Sequence, residues 1–256
     1  MKTIVFLHGL ASNGSRWWDF AERTRLKDWR ILRPNLRGAA GSSDRGRIGM
    51  DEWCAQIAAL LDGPALIAGH CLGANIALNF AARHPQLTSG LILIEPMPPR
   101  ALSGKLGFLR HFRFIPLAIA LLVRGLNALG IHRRHIEPMD LEAMDKALRA
   151  GTGDLAKYAS PFADLRSMPL ATYLQALAAV GDRLPDLSRI GCPALVLVSK
   201  NTSMTDLGRA RRELAPLPAA ELVQLDAEHW IPTEQPEAMC RAIEDWISRK
   251  GLGKAP

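Results

Sequence analysis

Gly69-His70-Cys71-Leu72-Gly73 lies between an apolar run, Pro64-Ala-Leu-Ile-Ala68, and a small-residue segment, Ala74-Asn-Ile-Ala-Leu-Asn-Phe80. A strand that ends near Gly69 and a helix that begins near Leu72 leave room for only a sharp turn. Such a turn lifts its central side chain off the sheet edge and places it at a helix N-terminus, where negative charge is favoured. Side chains at 69 and 73 would collide with the neighbouring strand and helix, so glycine at both positions is what the turn demands. Ala74, Ala77 and Ala81 let the helix lie close to the sheet. The pattern predicts a presented, nucleophilic Cys71, although a structural cysteine buried in a tight turn would satisfy the same letters.

Working outward, short apolar runs at Thr3–Leu7, Arg30–Arg33, Ala65–Ala68 and Leu91–Ile94 alternate with helical candidates at Trp17–Arg25, Met50–Leu61 and Leu72–Arg83. Two later runs, Ala194–Val198 and Glu221–Leu225, are followed by helices at Leu207–Leu214 and Glu237–Arg249. Near-continuous apolar strands alternating with helices predict an α/β fold: a mainly parallel sheet covered by helices on both faces. Residues 100–185 break the rhythm. No strand is evident there, while Leu102–Leu129, Leu141–Leu148 and Leu170–Leu177 read as helices. The expected organisation is a core of residues 1–99 and 186–256 with a helical cap or lid, 100–185, inserted over the carboxyl ends of the strands.

Composition narrows the classes. With 256 residues, 48% hydrophobic and 22% charged, the chain is long enough for a substantial buried core. Its net charge of +7 admits an acidic partner or a membrane surface, and the insertion concentrates arginine. Cys54, Cys71, Cys192 and Cys240 lie far apart without metal-ligand spacing, which predicts reduced thiols and a cytoplasmic protein. The opening apolar run is five residues and leads into His8-Gly9, so it reads as a strand. Phe114–Val123, ten residues with a proline, is too short to span a bilayer. Nothing suggests a metal, a cofactor or nucleic acid: there is no P-loop, no GxGxxG after a strand and no His/Cys cluster.

Taken together, five motifs resemble the α/β-hydrolase fold superfamily across almost the whole chain. They are Phe6-Leu-His-Gly-Leu10, Arg33-Pro-Asn-Leu-Arg-Gly-Ala-Ala-Gly-Ser42, the turn at Cys71, Cys192-Pro-Ala-Leu-Val-Leu-Val198 and Glu228-His-Trp-Ile-Pro-Thr-Glu-Gln-Pro-Glu237. The resemblance implies a nucleophile at Cys71, a general base at His229, and an oxyanion hole built from the backbone N–H groups of Leu10 and Leu72. His8 is expected to be structural. Glu228 stands where the family usually has glycine. The family's acid normally follows the strand 195–198, where this chain has Thr202, with Asp206 four residues on. Some relatives, haloalkane dehalogenases among them, place the acid after the preceding strand, and Glu95 resembles that placement. Glu95 and Asp206 are therefore both candidates, and a third reading has no acid at all.

A thiol depends less than a hydroxyl on that acid, and an acyl-sulfur intermediate is open to amines and thiols as well as water. The resemblance thus implies hydrolysis of a carboxylic ester or thioester through acyl-Cys71, with acyl transfer, a non-catalytic ligand-binding relative and a serine esterase altered to cysteine as alternatives. The apolar residues of the insertion predict a hydrophobic acyl site, with Phe108, Phe112 and Trp230 as lining candidates. The arginines nearby suggest an anionic handle such as an acyl carrier protein or CoA, or peripheral contact with a membrane.

Overall fold

In the computed structural model, residues 2–153 and 160–252 are described; Met1, 154–159 of the expected insertion and 253–256 lie outside the described residues. The strands are β1 (Thr3–Leu7), β2 (Arg30–Leu32), β3 (Ala65–His70), β4 (Thr88–Ile94), β5 (Ala194–Ser199) and β6 (Ala220–Leu225). They pair in the order β2-β1-β3-β4-β5-β6, and every neighbouring pair is parallel. Helices α1 (Trp18–Arg23), α2 (Met50–Ala58) and α3 (Leu72–Arg83) precede β4. Between β4 and β5 come α4 (Leu109–Phe112), α5 (Phe114–Ala128), α6 (Leu141–Arg149), α7 (Pro161–Ser167) and α8 (Leu170–Val180). The last helices are α9 (Leu207–Leu214), α10 (Ile231–Glu234) and α11 (Pro236–Arg249).

Parallel strands need crossovers, and the crossovers cover the sheet on both faces. Alternation along each strand divides the core accordingly. Val5, Leu7, Ile67, Leu91 and Leu93 pack with Trp53 and Ile57 of α2 and with Ile76 and Phe80 of α3. Ile4, Phe6, Leu66, Ile92 and Ile94 pack with Phe20 of α1 and with Ile243, Trp246 and Ile247 of α11. A fully buried side chain of this size contributes about 1.5–3 kcal/mol, so the two faces together anchor β1, β3 and β4. Strand order reverses between β1 and β3, which makes the crevice at their carboxyl ends the topological switch point where open sheets bind ligands.

The expected helix Leu102–Leu129 is broken. The stretch ending at Phe112 and the helix starting at Phe114 meet at 80°. Pro116 explains it: the ring has no N–H to give Phe112 and would clash with that carbonyl in a continuous helix. At the third position of a new helix the missing N–H costs nothing, because no intrahelical acceptor exists there. Helix α7 was not anticipated from periodicity, although its Ser160 cap, accepting from the Ala163 N–H at 3.4 Å, and Pro161 are ordinary helix-start signals.

Candidate active site

Strand β3 runs straight into α3, and the residue between them is Cys71, with φ 56° and ψ −121°. Left-handed backbone at a residue with a side chain costs on the order of 1–3 kcal/mol and persists only where the surroundings impose it. Here the Cys71 N–H is tied to the Ile94 carbonyl at 2.9 Å. A Cβ on Gly69 would lie 2.2 Å from the Gly73 carbonyl oxygen, and one on Gly73 would lie 2.4 Å from that of Leu7. The two glycines thus let the turn close on itself and let α3 rest on β1. Cys71 is largely buried, yet it lines a cavity of about 460 Å³ at the switch point.

The loop after β1 reaches the same point. A Cβ on Gly9 would sit 3.1 Å from the Cβ of Cys71, and Leu10 lines the cavity. Leu10 follows Gly9 in this loop, and Leu72 follows Cys71 as the first residue of α3. His8 is buried below: its Nδ1–H donates to the Gly9 carbonyl at 3.0 Å and its Nε2 accepts from the Leu36 N–H at 3.1 Å. Burial holds it down at about 4, so it is a neutral strut between the loops after β1 and β2.

Opposite the cysteine is His229. Its Nδ1–H donates to Glu95 Oε2 at 3.1 Å, with both side chains almost completely buried. Glu95 follows β4 in a left-handed conformation (φ 48°), and its other oxygen accepts the N–H of Ser199 at the end of β5. The carboxylate is thereby fixed at both oxygens. His229 Nε2, on the far side of the ring, is buried with no nitrogen or oxygen partner. Burial alone drives this imidazole down, but the Cys71 sulfur and then Glu95 outweigh it and raise it from 6.5 to about 9.

Three further residues hold the histidine loop, none singled out for this from the sequence. His70 Nε2–H donates to the His229 carbonyl at 3.0 Å, and burial keeps His70 well below its usual range, hence neutral. Glu234, in α10, accepts from the N–H groups of Glu228 at 3.0 Å and Trp230 at 2.8 Å. Arg16 lines the cavity, donates to Thr233 Oγ1 at 2.6 Å and lies 3.5 Å from Asp145 of α6. Asp145 also accepts from Trp18 Nε1 at 3.0 Å and from the Thr233 hydroxyl at 3.1 Å. This buried cluster ties α6 to the segment after β1, to α1 and to α10.

The structure brings together Cys71, His229 and Glu95 and leaves Asp206 out. Asp206 is exposed, and its carboxylate caps α9 by accepting the Arg209 N–H at 2.7 Å. Trp230 lines the cavity, with its ring edge-on to His229 at 5.0 Å. Phe108 and Phe112 do not line it; they are 43% and 49% exposed. The break before α5 turns Leu109 inward instead, and the apolar wall comes from Leu106, Leu141, Met144, Leu177 and Val180.

A family model described as the alpha/beta hydrolase family matches residues 4–242. The chain belongs to the alpha/beta hydrolase family. A pimeloyl-[acyl-carrier protein] methyl ester esterase of Aromatoleum aromaticum is 26% identical, over 95% of this chain and 97% of its own. Among solved structures, a thermophilic esterase of Thermogutta terrifontis superposes with a TM-score of 0.68 at 20% identity, covering 97% of this hydrolase and 90% of that chain. The thioesterase domain from the curacin biosynthetic pathway gives 0.66 at 19% identity, covering 95% and 91%.

Proposed function

We propose that this alpha/beta hydrolase cleaves the ester or thioester of a hydrophobic acyl group through an acyl-Cys71 intermediate. The observation that carries the reading is Glu95, His229 and Cys71 gathered at an apolar cavity, with Glu95 holding His229 Nδ1–H and Cys71 near enough to raise the imidazole. With His229 raised to about 9, its Nε2 holds the proton given up by Cys71, whose Sγ attacks the acyl carbonyl. The oxyanion that forms is met by the N–H groups of Leu10 and Leu72, each worth about 3 kcal/mol of barrier. Collapse breaks the bond to the leaving oxygen or sulfur, which receives the proton from Nε2, and leaves a thioester. Water then attacks with Nε2 as base, the acid departs, and the proton returns to the sulfur. Glu95 stays ionised throughout and keeps Nδ1 protonated, so that Nε2 is the nitrogen that works.

The helices between β4 and β5 serve in this reading as a lid whose inner wall receives the acyl chain. The cavity volume is that of a small-molecule site, and the full-length esterase relative supports an acyl ester, carrier-linked or free, as the substrate. Sulfur at position 71 favours a second outcome for the same intermediate, transfer to an amine or thiol, which product analysis with added acceptors separates from hydrolysis. Rapid mixing with p-nitrophenyl hexanoate tests the proposal. A burst of nitrophenol equal to the enzyme concentration, absent in Cys71→Ala, is expected; equal turnover by Cys71→Ala would overturn it.

A further inference from the structure

Helix α5 is built inside out. Its buried positions on α8 are the small residues Pro116 and Ala120, while Phe114, Ile115, Leu117, Ile119, Leu121 and Leu122 are exposed. Of the fourteen large hydrophobic residues that are exposed among the described residues, eleven fall between Phe108 and Ile131. A helix apolar on every side is one that something covers. The charge of this segment says what kind of thing. From Pro96 to Ile136 there is no aspartate or glutamate, whereas lysine and arginine occur seven times. Arg110 and Arg113 stand before α5 and Arg133 and Arg134 after it; among the described residues Arg113 makes a close ion pair, with Asp182, and Arg110 feels the Glu213 carboxylate at longer range.

We propose that α4 and α5 form an in-plane docking element for an anionic phospholipid bilayer. Leu121, Leu122 and their exposed neighbours enter the acyl boundary, and the flanking arginines meet the headgroup phosphates. At fifteen residues α5 is about 22 Å long, shorter than the hydrocarbon core, and no single described helix is long and apolar enough to cross a membrane. The 80° bend before α5 lets it lie flat on the surface while the preceding stretch returns to the body of the protein. A second copy is a poor occupant, because a two-fold contact would set this uniformly cationic segment against itself. Ser103, Lys105 and Leu106, just before α4, form part of the wall of the Cys71 cavity, so docking would put that wall at the lipid side. The docking itself does not depend on the esterase reading.

Co-sedimentation with vesicles of mixed phosphatidylglycerol and phosphatidylcholine, against pure phosphatidylcholine, tests this. The protein is expected to pellet with the anionic vesicles only, and less at high salt. Leu121→Glu with Leu122→Glu, at sites 64% and 66% exposed, should abolish pelleting with circular dichroism and melting unchanged. Arg110→Ala with Arg134→Ala should weaken binding about 25-fold, roughly fivefold per charge, and carries the test if the glutamate variant fails to fold. Failure to pellet with anionic vesicles, equal pelleting with neutral ones, or wild-type binding by the folded glutamate variant would overturn the proposal. So would a sedimentation-velocity dimer that the glutamate variant dissociates without any vesicle binding, which would assign the face to a second copy.

Discussion

Replacing Glu95 by glutamine probes the site where its geometry is tightest. Both carboxylate oxygens accept hydrogen bonds, one from the Ser199 N–H and the other from His229 Nδ1–H at 3.1 Å. Glutamine offers one acceptor and one NH2. If its oxygen faces Ser199, the NH2 faces Nδ1 and the ring must carry its proton on Nε2, which removes the base. If its oxygen faces His229, the Ser199 N–H meets a donor and a buried N–H is orphaned, at about 1–3 kcal/mol. Either way the negative charge that helps raise His229 from 6.5 to about 9 is gone; that whole rise corresponds to roughly 3 kcal/mol of preference for the imidazolium. Together these terms predict a fall in kcat/KM of about 10² to 10⁴. The assay is p-nitrophenyl ester hydrolysis with nitrogen NMR of the imidazole to read the tautomer. Glu95→Gln above half of wild-type activity, with Asp206→Asn inactive, would refute the reasoning and return the role to Asp206.

Other consequences follow from the same contacts. Because His229 is raised above its unfolded value, its contribution to stability is full below pH 6.5 and is lost as pH rises through about 9; urea melts at pH 6 and pH 10 should show that loss, and Cys71→Ala should shrink it, since the sulfur is one of the groups that raises the imidazole. Asp145→Ala removes the buried carboxylate that pairs with Arg16 and accepts from Trp18 and Thr233 and should cost about 3–5 kcal/mol, read as a melting temperature roughly 10 °C lower. Gly73→Ala forces a Cβ to 2.4 Å from the Leu7 carbonyl oxygen; soluble protein, if obtained, should have lost the burst while keeping its far-UV spectrum.

The sheet was legible because the strands that form it are buried on both sides and so read as unbroken runs of Ile, Leu and Val between turn residues. The turn at Cys71 was legible because close approach of backbones leaves glycine no substitute at 69 and 73. The acid was not decided by sequence, since Glu95 and Asp206 both end strand-to-loop segments; yet Asp206-Leu207-Gly208-Arg209 already carried a helix-cap signal that commits that carboxylate to Arg209. Phe108 and Phe112 were misplaced because apolar character says that a side chain seeks cover without saying from what. The Arg16–Asp145–Thr233 cluster joins residues 88 to 217 positions apart, a relation that no local pattern records.

The most direct measurement is peptide mapping of the protein quenched in acid during turnover of a hexanoyl thioester. Burial pushes the thiols of Cys54 and Cys192 up to about 11 and that of Cys240 to about 12, which leaves them poor nucleophiles at neutral pH. One hexanoyl group per chain, released by hydroxylamine and confined to the peptide bearing Cys71, is the predicted result. Steady turnover with no adduct on that peptide, or an adduct spread over the other cysteines, would contradict it.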